Sequence, residues 1–317
     1  MRWDVSALFY LSFTMKLIMY PTAPFDFELS AAIFSDGDRQ IRTYYKGKYW
    51  QVVRIARQLV LVVITSIGTV NKPRLLVEVR EGTQLLGESL EIVRDTIVNL
   101  FNLNLDLIRF YNEVRCDDIM SKLIEQLRGF RSPTTHTVFE ALISSITEQQ
   151  ISLSAAFSIQ KRMIRTFGDV LKINERVYYA FPEPETLAST TIEQFRSCGL
   201  STRKAEYIRD VAALITNGKL NLEEFKSYDD TNEIVDELCK LRGVGAWTAE
   251  LTLIRGMHKL EVIPADDLGL KRTISHYYCS DKKISSKDAR NITKKWGKWK
   301  GLAYFYLITA ERLAIEI

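Results

Sequence analysis

The chain has 317 residues, about twice the length of a common single domain, which predicts two domains with separate cores. With 46% hydrophobic and 26% charged residues, the composition argues against intrinsic disorder, collagen-like repeats and a disulfide scaffold. The formal net charge is +4, from 43 Lys and Arg against 39 Asp and Glu, and this sum alone implies no particular partner.

The positive charge is concentrated in one part of the sequence. Residues 1–239 carry 28 basic and 31 acidic side chains, whereas residues 240–300 carry 14 and 6. We call residues 240–300 the basic block. One basic face with an acidic remainder is typical of DNA-binding proteins. A well-solvated helical surface is the alternative interpretation of the same charges.

Cysteines and histidines are few and scattered. The four cysteines lie at least 40 residues apart and form no CxxC pair, and the chain has three histidines. We therefore expect no zinc, iron–sulfur or His-based metal site, and a reducing compartment fits better than secretion.

The amino terminus, residues 1–20, contains apolar stretches but matches neither a signal peptide nor a membrane span. Asp4 lies where a signal peptide is positive, Lys16 interrupts the apolar run, and no good cleavage site follows. We expect a first strand here, or a leader (residues 1–14) upstream of Met15 that reflects a mis-assigned start.

The predicted elements change type along the chain. Residues 41–45, 49–56, 59–67 and 74–80 are rich in Val, Ile, Tyr and Trp and are separated by turn residues, which predicts an antiparallel meander. After Glu88 the apolar residues recur at helical spacing, and almost only helix is predicted to Ile317. The predicted fold is α+β and mostly α. It comprises an antiparallel β-rich domain (1–110) followed by an all-helical domain (111–317).

Local signals place several helix boundaries. Residues 132–134 are predicted to open an apolar helix, and Gly168 to close the next one. Another helix is predicted over residues 203–216 and a final one over 300–315. Capping boxes are predicted at Asp230 with Glu233, starting a helix over 233–242, and at Ser285 with Asp288.

The most informative motif lies inside the basic block. Residues 241–249, LRGVGAWTA, predict a helix that ends in Gly-Val-Gly and is followed at once by another helix. Glycines permit positive φ and remove Cβ atoms that would block a close approach. The amides at the start of the second helix are suited to bind a phosphate. A plain packing turn is the alternative.

A pair of carboxylates follows this turn. Residues 264–272, PADDLGLKR, place Asp266 and Asp267 after a proline, at the start of a predicted helix and beside a Lys-Arg pair. Helix capping, worth about 1 kcal/mol, explains one carboxylate, and we assign it to Asp266. A second carboxylate where phosphate is expected requires a cation that develops nearby.

Four segments together resemble one superfamily. They are LRGVGAWTA, PADDLGLKR, the upstream helix ALISSITEQQISLSAA and the segment GLSTRKAEYIRDVA. In this order they resemble the helix-hairpin-helix, Gly/Pro-Asp (HhH-GPD) superfamily of DNA glycosylases, most closely its 3-methyladenine DNA glycosylase II branch. The resemblance covers residues 130–315. Over residues 25–90 it extends only to the β-rich amino-terminal domain that this branch shares with 8-oxoguanine glycosylases.

The resemblance implies hydrolysis of the N-glycosidic bond of a flipped, alkylated base in double-stranded DNA. Asp267 matches the catalytic aspartate, which stabilises oxocarbenium-like charge on the sugar and positions water. The residues expected to face DNA are the hairpin residues Arg242, Gly243, Val244, Gly245 and Thr248 and the basic residues Lys271 and Arg272. No cofactor is expected to be required, and the hairpin is a candidate site for a structural monovalent cation.

Trp247 separates two mechanistic branches. Members resembling endonuclease III or 8-oxoguanine glycosylase carry a lysine at this position, and its amine forms a Schiff base and cleaves the strand. Tryptophan predicts a monofunctional glycosylase. The indole is also a candidate pocket wall that attracts cationic purines, with burial in the core as the alternative. Leu251 stands where the branch commonly has tyrosine, which leaves the breadth of base preference open.

Four further residues are candidates for the site, on weaker sequence evidence. Gln150 matches the residue that fills the hole left by the flipped base, with a solvated helix corner as the alternative. Trp50, Tyr304 and Tyr306 are further candidate pocket walls.

Two other functions remain open at this point. One is a glycosylase for deaminated or oxidised bases, because pocket shape sets that choice. The other is a non-catalytic helix-hairpin-helix DNA-binding protein. We expect a monomer without a membrane partner, in the cytoplasm or nucleoid, or in the nucleus if the source is eukaryotic.

Overall fold

The computed structural model describes residues 13–33, 35, 37–55, 58–81, 88–132 and 134–317. Residues 1–12, which hold most of the predicted leader, and Pro133, part of a predicted helix start, lie outside these ranges. Met15 lies inside the first strand. In the described ranges, no helix has both the length and the apolar character needed to cross a membrane.

The described elements run from strands to helices. The strands are β1 (Phe13–Met19), β2 (Arg42–Tyr45), β3 (Lys48–Ile55), β4 (Gln58–Ser66), β5 (Leu75–Glu81), β6 (Val170–Ile173) and β7 (Arg176–Tyr179). The helices are α1 (Phe27–Ala32), α2 (Glu88–Leu100), α3 (Leu107–Val114), α4 (Asp118–Gln126), α5 (Val138–Glu148), α6 (Leu153–Phe167), α7 (Pro184–Ser189), α8 (Ile192–Ser197), α9 (Thr202–Thr216), α10 (Thr231–Cys239), α11 (Ala246–Met257), α12 (Leu268–Cys279), α13 (Ser286–Thr293) and α14 (Lys300–Arg312). Short 3₁₀ helices cover Glu224–Ser227 and Lys294–Trp299.

The amino-terminal strands form one antiparallel sheet in the order β1-β5-β4-β3-β2. Lys46 and Gly47 have positive φ (50° and 76°), the pattern of the two-residue turns that match the twist of a β-hairpin. They join β2 to β3, with Tyr45 opposite Lys48. The predicted antiparallel meander is confirmed in this region.

Both faces of the sheet are covered. Because side chains alternate along a strand, neighbouring residues of β4 face different layers. Val62 packs in a cluster with Ile97 of α2, whereas Val63 packs in a second cluster with Leu171 of β6.

The β6–β7 ribbon corrects the prediction that the chain is almost only helical after Glu88. Its strands have four residues each and are mostly half-buried, so neither strand carries the long apolar run that sequence patterns detect. Tyr179 N donates to Gln40 O at 2.7 Å. Arg54 of β3 pairs with Asp169 and Glu183, which flank the ribbon. The ribbon therefore fastens the helical part of the chain to the outer face of the sheet.

The helices from α3 onward share a separate apolar core. Its largest fully buried side chains include Phe110, Phe130, Trp296 and Tyr306. The cluster beneath the sheet ends at Leu103, whereas the helical cluster begins, apart from Ile33, at Leu107. The division of the chain at residue 110 stays a prediction.

Two of the predicted helix boundaries are confirmed and two are wrong. Gly168 caps α6, and Ser285 with Asp288 forms a capping box at α13, as predicted. The capping box predicted at Asp230 with Glu233 is wrong, because the Asp230 carboxylate accepts from Asn232 N rather than from Glu233 N. That helix, α10, ends at Cys239. Helix α5 begins after Thr137, its N-cap, rather than at residues 132–134.

Candidate active site

The connection between α10 and α11 is a tight turn built on one essential glycine. Gly243 has φ of +85°, and an added Cβ would lie 2.1 Å from the Tyr207 ring of α9. Gly245 has φ of −105° and nothing within 4 Å of the Cβ position. Of the two glycines, Gly243 alone adopts the positive φ that glycine permits. Gly245 leaves open space at the N-cap of α11, where no side chain caps the helix.

The other hairpin residues divide between the surface and the core. Arg242 is exposed and pairs with Glu206 at 2.6 Å and Asp210 at 3.4 Å. Val244 is buried. The Thr248 side chain is buried and accepts from Gln149, so its predicted role on DNA depends on its backbone.

Asp267 lies at the start of α12, the helix that follows the two helices of the hairpin, α10 and α11. Its Oδ1 accepts from Leu270 N at 2.8 Å, which makes Asp267 the N-cap of α12. Its Oδ2 accepts from Trp247 Nε1 at 3.0 Å. The assignment of the cap to Asp266 is wrong, because α12 begins one residue later than that assignment requires. Asp266 is exposed, with Oδ2 3.9 Å from Nη2 of Arg290.

A cavity of about 1100 Å³ opens beside this carboxylate. The predicted site residues that line it are Gln150, Gly245, Trp247, Thr248, Asp267 and Arg272. Arg242, Gly243, Val244 and Lys271 are not part of its lining. Among the further wall candidates, Tyr304 lines the cavity. Trp50 lies in the sheet cluster, and Tyr306 lies in the helical core.

A polar stripe along α5 forms part of the cavity lining and was not predicted. Glu140, Ser144 and Glu148 recur at intervals of four residues, which places them on one helix face. Nη1 of Arg255, from α11, donates to both carboxylate oxygens of Glu148 at 2.9 and 2.8 Å. Gln160 of α6 completes the stripe. Because 107 positions separate Glu148 from Arg255, no local pattern reveals the pair.

The cavity carries an excess of negative charge. The charged residues in its lining are the carboxylates Glu140, Glu148, Asp266, Asp267 and Glu311 and the guanidiniums Arg42, Arg255 and Arg272. Three of these carboxylates have a guanidinium partner within the lining, and the two adjacent aspartates do not. This surplus favours a positively charged group in the cavity.

The surroundings raise the pKa of two side chains near Asp267. Complete burial and the negative charge of Asp267 raise the pKa of Tyr304 well above its usual value, so its hydroxyl stays protonated. Burial works against the charge of Arg255, but Glu148 and Asp267 outweigh it and raise its pKa. Arg255 is therefore a permanent cation beneath the cavity.

The corner between α5 and α6 forms one lip of the cavity. Gln150 has φ of +55° and is exposed. Gln149 precedes it and is bonded to the hairpin. The structure thus brings the predicted plug residue to the rim of the cavity that holds Asp267.

Much of the basic block is neutralised by carboxylates, most of them outside the block. Seven of its fourteen cations form ion pairs with carboxylates in the described part of the chain: Lys240, Arg242, Arg255, Arg272, Arg290, Lys295 and Lys298. The block is therefore not one uniformly free cationic surface. Among the described residues, no group of three or more His, Cys, Asp or Glu side chains is arranged to hold a metal ion.

A helix-hairpin-helix turn, a carboxylate at the start of the next helix and a large cavity between them define a DNA glycosylase fold. Residues 143–298 match the HhH-GPD superfamily of base excision DNA repair proteins, and the chain belongs to this superfamily. The predicted superfamily and the α+β, mostly α fold class are confirmed.

Known relatives agree with this assignment. The DNA-3-methyladenine glycosylase of Bacillus subtilis is 29% identical over 245 residues, 77% of this chain and 80% of that protein. The solved 3-methyladenine DNA-glycosylase from Archaeoglobus fulgidus superposes with a TM-score of 0.83 at 27% identity, covering 94% of this chain and 99% of that one. The Clostridium acetobutylicum 8-oxoguanine glycosylase/lyase bound to double-stranded DNA shares the fold, with a TM-score of 0.75, 24% identity and coverage of 94% and 99%.

Proposed function

We propose that this protein is a base-excision-repair DNA glycosylase that releases alkylated bases of the 3-methyladenine type from double-stranded DNA. The observation that carries the proposal is the Asp267 carboxylate, fixed by two N–H donors at the cavity beside the hairpin. The names of the relatives from Bacillus subtilis and Archaeoglobus fulgidus support the same substrate class.

The reaction replaces the bond between C1′ of the sugar and the base nitrogen with a bond to water. The base leaves with the electron pair of that bond, and positive charge develops on the sugar. The Asp267 carboxylate stabilises this charge and orients the attacking water. Water oxygen then bonds to C1′, and its proton passes to the carboxylate or to solvent.

The negative cavity suits a cationic base. A purine methylated on N3 or N7 carries positive charge in DNA and departs as a neutral molecule, so its release requires no proton donor. Asp266 and Asp267, which have no guanidinium partner within the lining, favour such a base over a neutral one. The aromatic side chains of the lining, Phe157, Trp247, Tyr304 and Phe305, offer π-surfaces for stacking and cation–π attraction.

We further propose that the enzyme is monofunctional and leaves an abasic site. Strand cleavage through a Schiff base requires an amine in the cavity. Trp247 occupies the position of that amine, and no lysine is among the described residues of the cavity lining.

DNA is proposed to bind at the hairpin and at the lip of the cavity that carries Gln150. The uncapped first turn of α11 offers amides to a phosphate, and Gly245 leaves room for the approach. Gln150 fills the hole that the flipped base leaves. A monovalent cation at the hairpin and a monomeric state stay predictions.

The test is base release from duplexes that each contain one alkylated, deaminated or oxidised base, with and without alkaline cleavage of the product. We expect release of alkylated bases and strand breaks only after alkali. Release of deaminated or oxidised bases alone would refute the substrate class. Base release from none of the duplexes, with DNA still bound, would identify a non-catalytic DNA-binding protein. Trapping on DNA by borohydride would refute monofunctionality.

A further inference from the structure

Three elements meet around the lip of the cavity that carries Gln150. They are the corner itself (residues 147–150), the hairpin (residues 243–248) and the first turns of α9 (residues 204–207). Each pair of these elements is joined by a specific contact. We call this arrangement the lip frame.

The first contact joins the corner to the hairpin through one amide. Gln149 Nε2 donates to Gly243 O and to Thr248 Oγ1, both at 2.9 Å. One acceptor lies before the start of α11 and the other in its first turn. A single side chain thus spans the part of the hairpin that is proposed to bind phosphate.

The second contact joins α9 to the corner. Lys204 Nζ donates to Thr147 O at 2.8 Å and to Gln149 O at 2.6 Å, carbonyls at the end of α5. Burial lowers the pKa of Lys204, although the nearby charge of Glu148 opposes the shift. The half-buried ammonium group of Lys204 therefore stabilises the carboxyl-terminal end of α5, where carbonyl dipoles attract positive charge.

The third contact joins α9 to the hairpin. The Tyr207 ring occupies the space beside Gly243 where a Cβ would lie. The Arg242 guanidinium lies 5.3 Å from the same ring. The three contacts close a triangle, so neither the hairpin nor the corner can shift without breaking a contact of the frame.

We propose that Gln149 is a positioning residue that fixes the plug Gln150 relative to the phosphate-binding hairpin. Lys204 supports it from α9. In this role Gln149 touches neither base nor sugar. It holds Gln150, which enters the DNA double helix, at a fixed position relative to the DNA backbone bound at the hairpin. The inference rests on the proposed function, because it requires base release from DNA as its readout.

The test is a double-mutant cycle with Gln149→Met and Gln150→Ala. Methionine keeps the length of the side chain and removes both N–H donors. The rate of base release under single-turnover conditions is measured on a duplex and on a single strand with the same alkylated base. Gln126→Met is the matched control, since Gln126 lies on α4, is not part of the cavity lining and donates to the backbone of Glu316.

We expect Gln149→Met to lower the duplex rate about tenfold, as two hydrogen bonds of ordinary strength allow, and the single-strand rate by less than about threefold. With Gln150→Ala already present, Gln149→Met is expected to lower the duplex rate by less than about twofold, because its effect passes through Gln150. Gln126→Met is expected to leave both rates unchanged.

Multiplicative effects of the two substitutions, or equal losses on duplex and single strand, would overturn the proposal. If Gln149→Met lowers the melting temperature strongly, Lys204→Met replaces it in the cycle, with the same expected and contradicting results. Failure of the wild-type protein to release any base would refute the proposed function and this inference together. Failure of the cycle alone, with an active wild type, would refute only the role of Gln149.

Discussion

At the scale of single residues, the hydrogen bond from Trp247 to Asp267 is the contact nearest the proposed chemistry. The indole N–H holds one carboxylate oxygen at 3.0 Å, and the backbone of Leu270 holds the other. The carboxylate is thus oriented before substrate binds, which is the condition for strong electrostatic stabilisation. The same indole lines the cavity, so one residue both orients the carboxylate and forms a wall.

Replacement of this donor gives a prediction for Trp247. Trp247→Phe keeps an aromatic wall but removes the N–H, and a hydrogen bond to a charged group of this kind is worth about 1.5 kcal/mol or more. We expect the single-turnover rate of base release to fall about tenfold or more. Trp50→Phe is the control, because Trp50 lies on β3 and donates to Arg39 O, outside the cavity. Unchanged release by Trp247→Phe would remove the orienting role of the indole.

At the scale of elements, the two glycines of the hairpin have different tasks. Gly243 is required by its positive φ and by the Tyr207 ring, whereas Gly245 is bounded by open space. The first is a requirement of folding, and the second leaves room for the phosphate that we propose binds at the helix end.

The matched pair Gly243→Ala and Gly245→Ala separates these tasks. Gly243→Ala is expected to lower the free energy of unfolding by about 2 kcal/mol or more, through backbone strain and the clash. Gly245→Ala is expected to cost less than about 1 kcal/mol as an N-cap change. It should nevertheless weaken binding to a duplex with an abasic-site analogue. Denaturant titration and binding titration provide the two measurements. Equal destabilisation by both substitutions would contradict the distinction.

The sequence predicted the elements that carry strong local patterns. The Val- and Ile-rich strands β3 and β4 were found within a residue of their observed ends, and Ser285 with Asp288 marked the start of α13 correctly. The β6–β7 ribbon was missed, because its short, half-buried strands acquire their partners only when they dock on the sheet.

Within the site, the motifs that carry the family resemblance predicted Asp267, Trp247 and Gln150 as site residues, and in the structure all three line one cavity. They did not reveal the pair between Glu148 and Arg255, because ion pairs distant in the chain leave no periodic signal. The cap was assigned to Asp266 because two adjacent aspartates look alike until the first residue of the helix is known.

At the scale of the whole molecule, one buried junction joins the end of α2 to the helical core. Arg131 is buried and donates to the carbonyl of Asn102, and burial lowers its pKa to about 10. Nδ1 of His258 forms a hydrogen bond with the Asn102 side chain. His258 ends α11, the helix that begins at the hairpin. The junction thus connects the layer beneath the sheet to a helix of the active site.

His258 makes stability depend on pH. Burial, with a smaller effect of Lys226, lowers its pKa from 6.5 to about 4. Between these values the unfolded chain binds a proton that the folded protein does not. As pH falls from 6.5 to 4, we expect this residue to lower the free energy of unfolding by up to about 3 kcal/mol.

Denaturant titrations across this pH range check the prediction. His258→Asn, which tolerates the left-handed conformation at this position, should flatten the pH dependence. The same slope in wild type and His258→Asn would contradict the assignment.

The most direct test of the proposed chemistry compares Asp267→Asn with Asp266→Asn. Asparagine at position 267 still accepts from the amide of Leu270, so the fold and DNA binding should persist while the negative charge is lost. We expect release of an alkylated base from duplex DNA to fall by about 100-fold or more in Asp267→Asn, and to change far less in Asp266→Asn. Release by Asp267→Asn at the wild-type rate, or an equal loss in both variants, would contradict the role of Asp267 as the catalytic carboxylate.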